Sequence, residues 1–466
     1  MRHILFIAVL YLTACSLAPD YKRPEMAKVP DSYKENKGWV EANPADAVPR
    51  GEWWKIYSDP ELDQLEAKVE SANQNLKAAI ARYQEARAAV RVARADYFPT
   101  LTADAGVSRQ RVSSNIARYS PIQLYNDNII GAEFSYEVDL WGRVQNEVTG
   151  AKARSKASAA DLEGMDLSMH AELASDYFML RGDDAAQKIL DEAVVDYKKA
   201  LDLTKDRYKG GAVSAIDVDQ AETQYENTKT AAADNHLKRS ELEHAIAVLI
   251  GEMPSNFQLA PAPLVAKPPI IDTGLPSTLL ERRPDIAAAE RRAAAANADI
   301  GVARAAWFPD LTLSAGAGVE SQLFSNLVSA PSRFWSLGPS AAQTLFDGGK
   351  ISGQTEEARQ AFNEAVANYR QTVLTAYKEV EDNLVALSQL EQESVTQAAA
   401  TAAAERALAQ ENDRYHGGII TYLDVVLAQN IALQAELASV DILTRRMVAN
   451  VQLVRAIGGG LPIQKH

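Results

Sequence analysis

The sequence predicts a mostly helical, internally duplicated chain in which each copy also contributes a pair of membrane β-strands. Three observations carry this. Val-Ala-Arg-Ala-Asp-Tyr-Phe-Pro-Thr-Leu-Thr at 92–102 recurs as Val-Ala-Arg-Ala-Ala-Trp-Phe-Pro-Asp-Leu-Thr at 302–312, eight of eleven positions matching at an offset of 210. Asp206-Arg207-Tyr208-Lys209-Gly210-Gly211, with Asp217-Val218 after it, recurs as Asp413-Arg414-Tyr415-His416-Gly417-Gly418, with Asp424-Val425. After each Phe-Pro the hydrophobic period changes from three-to-four to two.

In chain order, residues 1–14 read as a secretory signal: Arg2 and His3, then the apolar run Ile4 to Leu12, too short to span a bilayer as a helix. Leu12-Thr13-Ala14-Cys15 resembles a bacterial lipobox, in which the cysteine is lipidated and becomes the first residue. Cys15 is the single cysteine, so it has no disulfide partner. Acyl chains on it would hold the N-terminus at a membrane. Ser16, rather than Asp, fits delivery to the outer membrane. Residues 15–60 hold Pro19, Pro24, Pro30, Pro44, Pro49 and Pro60 and read as an extended segment anchored by Trp53-Trp54.

The first repeat spans 61–253. From Pro60 to Tyr97, Leu62, Leu65, Val69, Leu76, Ile80, Tyr83, Ala86 and Val90 share one helix face, and Pro99 ends the helix. Leu101, Ala103, Ala105 and Val107 then alternate with polar residues. So do Ile130, Ala132, Phe134, Tyr136, Val138 and Leu140. A barrel strand with one face to lipid gives this pattern; on alternation alone a soluble half-buried sheet is the alternative. The aromatic placement favours the barrel. Tyr97, Phe98 and Trp141 stand at helix–strand junctions in the first copy, and Trp307, Phe308 and Phe346 in the second, as an interfacial girdle would.

Helical patterns run from Gly142 to Lys209 and from Gly349 to His416, each over sixty residues and roughly 100 Å long at the helical rise. Each ends in Gly-Gly, and a return helix follows at about 215–250 and 422–457. A Pro-rich linker at 254–276 leads to the second repeat, 277–458. Its strands cover about 310–346, the return strand from Trp335 to Leu345 being interrupted by Pro339. Residues 459–466 form a tail. A coiled-coil filament would not explain a strand pair in each repeat.

Lys and Arg number 48 against 62 Asp and Glu, for a net charge of −14, which argues against nucleic acid. Nucleophile-elbow, phosphate-loop and His-Glu-x-x-His patterns are absent, so neither an enzyme nor a cofactor or metal site is expected. Met165 and Met169, spaced for a soft cation, read as core packing instead. His236 and His244 read as surface or packing residues. Asp217, Asp219 and Asp424 open the return helices. Acids are favoured there by the helix dipole, and carboxylates ringed around an axis would also select cations.

Together these residues resemble the TolC superfamily of outer-membrane efflux channels, in its lipidated OprM and CusC-like branch. The carriers are Leu12-Thr13-Ala14-Cys15, Pro19-Asp20-Tyr21-Lys22-Arg23-Pro24, Asp139-Leu140-Trp141-Gly142-Arg143 and Leu275-Pro276-Ser277. Arg282-Arg283-Pro284-Asp285-Ile286, Leu345-Phe346-Asp347-Gly348-Gly349, the two Phe-Pro junctions and the final Gly-Gly-Gly-Leu complete them. The resemblance implies a homotrimer with four strands per chain in a twelve-stranded barrel, standing on a long periplasmic helical tunnel. It implies as partners a periplasmic adaptor and an inner-membrane pump of the resistance-nodulation-division type, with passive conduction of drugs or other toxic compounds. A protein-secretion duct and a copper or silver channel share the fold. It places Leu423 and Asp424 at the periplasmic gate, with Leu427 where many relatives carry a second Asp. Gly210, Gly211, Gly417 and Gly418 would be the adaptor-docking tips.

Overall fold

The computed structural model describes residues 16–24, 51–113, 124–264, 267–271 and 282–459. The signal segment, Cys15, the middle of the N-terminal segment, Leu275-Pro276-Ser277 and the tail from 460 lie outside the described residues. The first repeat runs α1 (Pro60–Ala72), α2 (Gln74–Ala95), β1 (Thr100–Arg111), β2 (Leu124–Glu137), α3 (Arg143–Lys209) and α4 (Ala215–Leu249). The second runs α5 (Pro284–Ala305), β3 (Asp310–Ser321), β4 (Arg333–Ala342), α6 (Lys350–His416) and α7 (Tyr422–Ala456). The duplication is metric. α2 and α5 have 22 residues each, α3 and α6 have 67, and α4 and α7 have 35.

The helical stretch expected from Pro60 to Tyr97 is two helices. Asn73 interrupts it with an extended ψ of 125°, ending α1 and starting α2. Its side-chain oxygen accepts from Leu76 N at 3.0 Å, as an N-cap does, and its amide donates to Leu249 O at 2.8 Å. α1 itself starts on Asp59, whose carboxylate accepts from Glu61 N and Leu62 N, with Pro60 in the first position.

The chain divides into two compact units. One comprises Met1–Glu25, Arg82–Ala159 and Ala288–Arg370 and holds a four-stranded sheet of order β1-β2-β3-β4, antiparallel throughout. β4 ends at Ala342, short of the expected Leu345. Pro339 pairs with Leu313 on this outermost strand, where a missing N–H is tolerated. In the same unit residues 16–24 lie along α5. Asn297 Nδ2 donates to Pro19 O at 2.7 Å, and Tyr21 OH to Glu290 Oε1 at 2.8 Å. Gly301 permits this approach, since a Cβ there would lie 2.8 Å from Ala18 Cβ.

The other unit comprises Met26–Ala81, Ala160–Ala287 and Gln371–His466. Its core gathers Trp53, Trp54 and Tyr57 with Leu62, Leu65 and Val69 of α1. These pack on Leu173, Tyr177 and Phe178 of α3, Ile246 of α4, Val380 and Leu384 of α6, and Val451 and Val454 of α7. The Arg-Arg-Pro-Asp-Ile motif acts here. Arg283 is buried, grips Asp285 with two bonds of 3.0 and 2.6 Å, reaches Glu379 Oε2 at 2.6 Å, and donates to Ala456 O at 3.0 Å. It thus satisfies one of the orphan carbonyls at the end of α7. Among the described residues, α7 alone is long and apolar enough to cross a membrane by length and composition, with a mean hydropathy of 1.2. Its apolar residues instead serve the core on one side and form an exposed stripe on the other.

Candidate functional site

The strand register settles what the alternation left open. Across the sheet, Leu101 pairs with Phe134, Phe134 with Ala315 and Ala315 with Leu337; the next rung is Ala103, Ala132, Ala317 and Trp335. The opposite face carries Thr100, Ser135, Ser314 and Gly338, then Thr102, Glu133, Gly316 and Ser336. The apolar face is open, as the polar face is. Leu101 is 72 % exposed, Leu337 76 % and Trp335 80 %. A soluble sheet would bury that face on a core; a face matched to hydrocarbon leaves it open. Phe334 is an aromatic residue on the polar side, as is Tyr125; Phe334 is the one that fills space left by glycines. It sits over Gly131 and Gly318, and a Cβ on Gly318 would lie 2.8 Å from Phe334 Cε1.

Four of the six residues expected to form a girdle, Tyr97, Phe98, Trp307 and Phe308, stand where the two copies of the Phe-Pro joint fall. Tyr97 N and Phe98 N donate back to Arg94 O and Ala95 O, and Trp307 N and Phe308 N to Arg304 O and Ala305 O. The helix end is therefore the same tightened turn in both copies. Trp141 stacks on Phe308 at 4.6 Å, and its indole N–H donates to Pro309 O at 2.9 Å. Phe98 and Phe346 are largely exposed. Amphipathic rings held at a strand end, with the N–H satisfied locally, suit a membrane interface.

At the far ends of α3 and α6 the Gly-Gly turns are superposable in their bonds. Gly210 N donates to Asp206 O and Gly417 N to Asp413 O, while Ala212 N and Ile419 N return to Arg207 O and Arg414 O at 2.9 Å. Gly211 and Gly418 take φ of 72° and 71°, the left-handed conformation that closes a helix. The two hairpins pack on one another through Leu201, Ala221, Tyr415, Tyr422 and Val425. The Arg207 guanidinium lies 4.7 Å over the Tyr415 ring, and Gln224 Nε2 donates to Asn430 Oδ1 at 3.0 Å.

The carboxylates expected at the gate have local duties. Asp424 Oδ2 accepts from Thr421 N at 3.1 Å and Thr421 Oγ1 at 2.9 Å. Asp217 Oδ2 does the same with Ser214 at 2.8 and 2.7 Å. Both are capping boxes. Asp219 is exposed. Leu423, Leu427 and Ile431, one turn apart on α7, form an exposed apolar stripe, while the equivalent positions in α4 are Ile216, Gln220 and Gln224. The Met165/Met169 pair belongs to the core, as the spacing on an amphipathic helix suggested. Sequence reading missed one cluster, Glu66 with His170, because the partners lie 104 positions apart and neither stands in a motif.

The family model described as outer membrane efflux protein matches residues 66–252 and 275–459. The chain is 32 % identical to the outer membrane protein OprJ of Pseudomonas aeruginosa, over 97 % of this chain and 95 % of that protein. It is 30 % identical to the toluene efflux pump outer membrane protein TtgC of Pseudomonas putida, over 98 % and 95 %. The crystal structure of the Campylobacter jejuni CmeC outer membrane channel superposes with a TM-score of 0.88 at 26 % identity, covering 97 % of this chain and 96 % of that one. The apolar strand face, the doubled aromatic joint and these matches along nearly the whole length agree: the chain belongs to the outer membrane efflux protein family and is an outer-membrane channel of the TolC type.

Proposed function

We propose that three copies of the chain form one conduit of a tripartite efflux system of the resistance-nodulation-division type. Four strands per copy close a twelve-stranded barrel, and the helices enclose the periplasmic passage. The observation that carries this is the exposed apolar face on a sheet with two unpaired edges, β1 and β4. Each unpaired N–H or C=O in hydrocarbon costs several kcal/mol, about 4–8 on the cyclohexane reference, so four strands need neighbours to close on. The tip hairpins, with Gly210, Gly211, Gly417 and Gly418 at their turns, meet the periplasmic adaptor, which joins the channel to the inner-membrane pump. Cargo passes without chemical change. Drugs and solvents are the cargo class drawn from relatives such as the toluene efflux component.

Cys15 carries the lipid anchor. Ser16 Oγ donates to Asn146 Oδ1 at 2.8 Å near the start of α3, five residues after Trp141, which supports an acylated N-terminus beside the aromatic girdle. Intact-mass measurement of the wild type and Cys15→Ala checks the acyl chains. Leu423 and Leu427 narrow the periplasmic end, with Asp217, Asp219 and Asp424 at its rim. The deciding experiment is planar-bilayer recording with the Leu423→Ala/Asp424→Ala double variant. Wild type should conduct as heat-resistant trimers, and the double variant should conduct more. A wild type that makes no pores, or migrates as a monomer, sinks the reading.

A further inference from the structure

Away from the tip hairpins, the helical unit holds a cluster of titratable groups that conduction does not use. Glu66 of α1 is fully buried and its Oε2 lies 2.6 Å from Nδ1 of His170 on α3, itself 4 % exposed. His170 Nε2 is 3.6 Å from Asp166 Oδ1. The Trp54 indole stacks on the imidazole at 4.4 Å and 18°. Among the described residues, Glu66 Oε1, Asp63 Oδ1 and Trp54 Nε1 are buried without a hydrogen-bond partner. A donor and two acceptors left open in one corner of a core make this a costly arrangement.

We propose that Glu66, His170 and Trp54 are a proton-operated clamp that fastens residues 51–66, the end of the N-terminal segment and the start of α1, onto α3 and releases them in alkaline conditions. The charged and titratable groups around the pair are few. α1 contributes Asp63 and Glu66, α3 contributes Asp166 and His170, and the turn before α1 contributes Lys55 and Tyr57. Lys55 is exposed and bonded to Glu52, and Tyr57 OH donates to Asn450 Oδ1 at 2.8 Å. From α2 the neighbouring polar group is Asn75, uncharged and bonded to Met169 Sδ. Among the described residues, the imidazolium is thus the one cation placed to neutralise Glu66.

Burial pushes Glu66 up to about 7 against the opposing pull of His170. For His170, burial favours the neutral ring, but the Asp166 and Glu66 carboxylates outweigh it and lift the group to about 9. Both groups therefore bind protons more tightly in the folded protein than in the unfolded chain. Their contribution is fully present below the unfolded values of 4.5 and 6.5, and is lost as pH rises through about 7 and about 9. Deprotonation removes the cation–π stack on Trp54 and leaves a buried carboxylate facing Asp63 and Asp166. Water is the escape for that charge, and α1 must lift to reach it.

Hydrogen exchange on the full-length protein in detergent, corrected for the intrinsic rate at each pH, tests the clamp. In the wild type, protection of residues 51–66 should fall about tenfold or more between pH 7 and pH 10. Protection in the Arg283–Ala456 region should hold. Glu66→Gln keeps an acceptor for the imidazole but leaves no charge behind, so its protection should change less than about twofold. Trp54→Phe, a smaller ring on the imidazolium, should shift the transition to lower pH. A pH-independent wild-type segment overturns the proposal even if neither variant folds, as does a Glu66→Gln profile matching the wild type.

Discussion

Arg283 Nη1 donates to the carbonyl oxygen of Ala456 at 3.0 Å, joining the residue before α5 to the last residue of α7. The same guanidinium holds Asp285 and Glu379. Arg283→Ala strands the Ala456 carbonyl and removes a buried cation from two carboxylates, for an expected loss of about 2–4 kcal/mol. Arg283→Lys keeps the charge without the fork and should recover less than half of that loss. Thermal unfolding followed by circular dichroism measures both.

The two faces of β4 should answer differently to the same residue. Leu337→Arg puts a cation on the lipid face and should weaken folding into liposomes by about 2–4 kcal/mol. Ser336→Arg, one position away on the polar face, should leave folding within about 0.5 kcal/mol of wild type. Equal effects would show that the apolar face does not meet lipid.

At the proposed gate, the capping bonds of Asp424 occupy its Oδ2, and the exposed side chains Leu423 and Leu427 are apolar. Leu427→Asp should therefore make the pore markedly more cation-selective. The readout is a shifted reversal potential across a KCl gradient in planar bilayers. An unshifted potential would place Leu427 away from the conducting path.

Asp176 on α3 is pushed up to about 6 by burial and by Glu172 one turn earlier. The folded state holds its proton more tightly than the unfolded chain. The stabilisation is thus fully present below pH 3.8 and lost as pH rises through about 6. Above that range the buried charge costs stability. Asp176→Asn should raise the melting temperature at pH 7.5 and leave it nearly unchanged at pH 3.5, below the unfolded value.

Much of the architecture was legible because it is written in local signals. Phe-Pro marks each helix-to-strand joint, Gly-Gly each tip, and both occur twice at matching spacing. Backbone rules of that kind act within a few residues. What escaped was set by distant partners. Asn73 breaks the expected first helix because Leu249 O, far along the chain, accepts its amide. Glu66 and His170 carry no sequence signal for their pairing. The Asp424 cap was within reach of the sequence, since Thr421 stands three residues before it, but a ring of carboxylates was the more prominent expectation.

The equal helix lengths have a consequence for how such a chain can change. Deleting one residue from α3 would retract everything after it by about 1.5 Å and turn it by about 100°. Arg207 would leave the Tyr415 ring, and the first hairpin would no longer meet the second. The same deletion made in α6 restores the match. Insertions and deletions in the 67-residue helices should therefore be tolerated in pairs, so that the gene can lengthen or shorten its product only by editing itself twice.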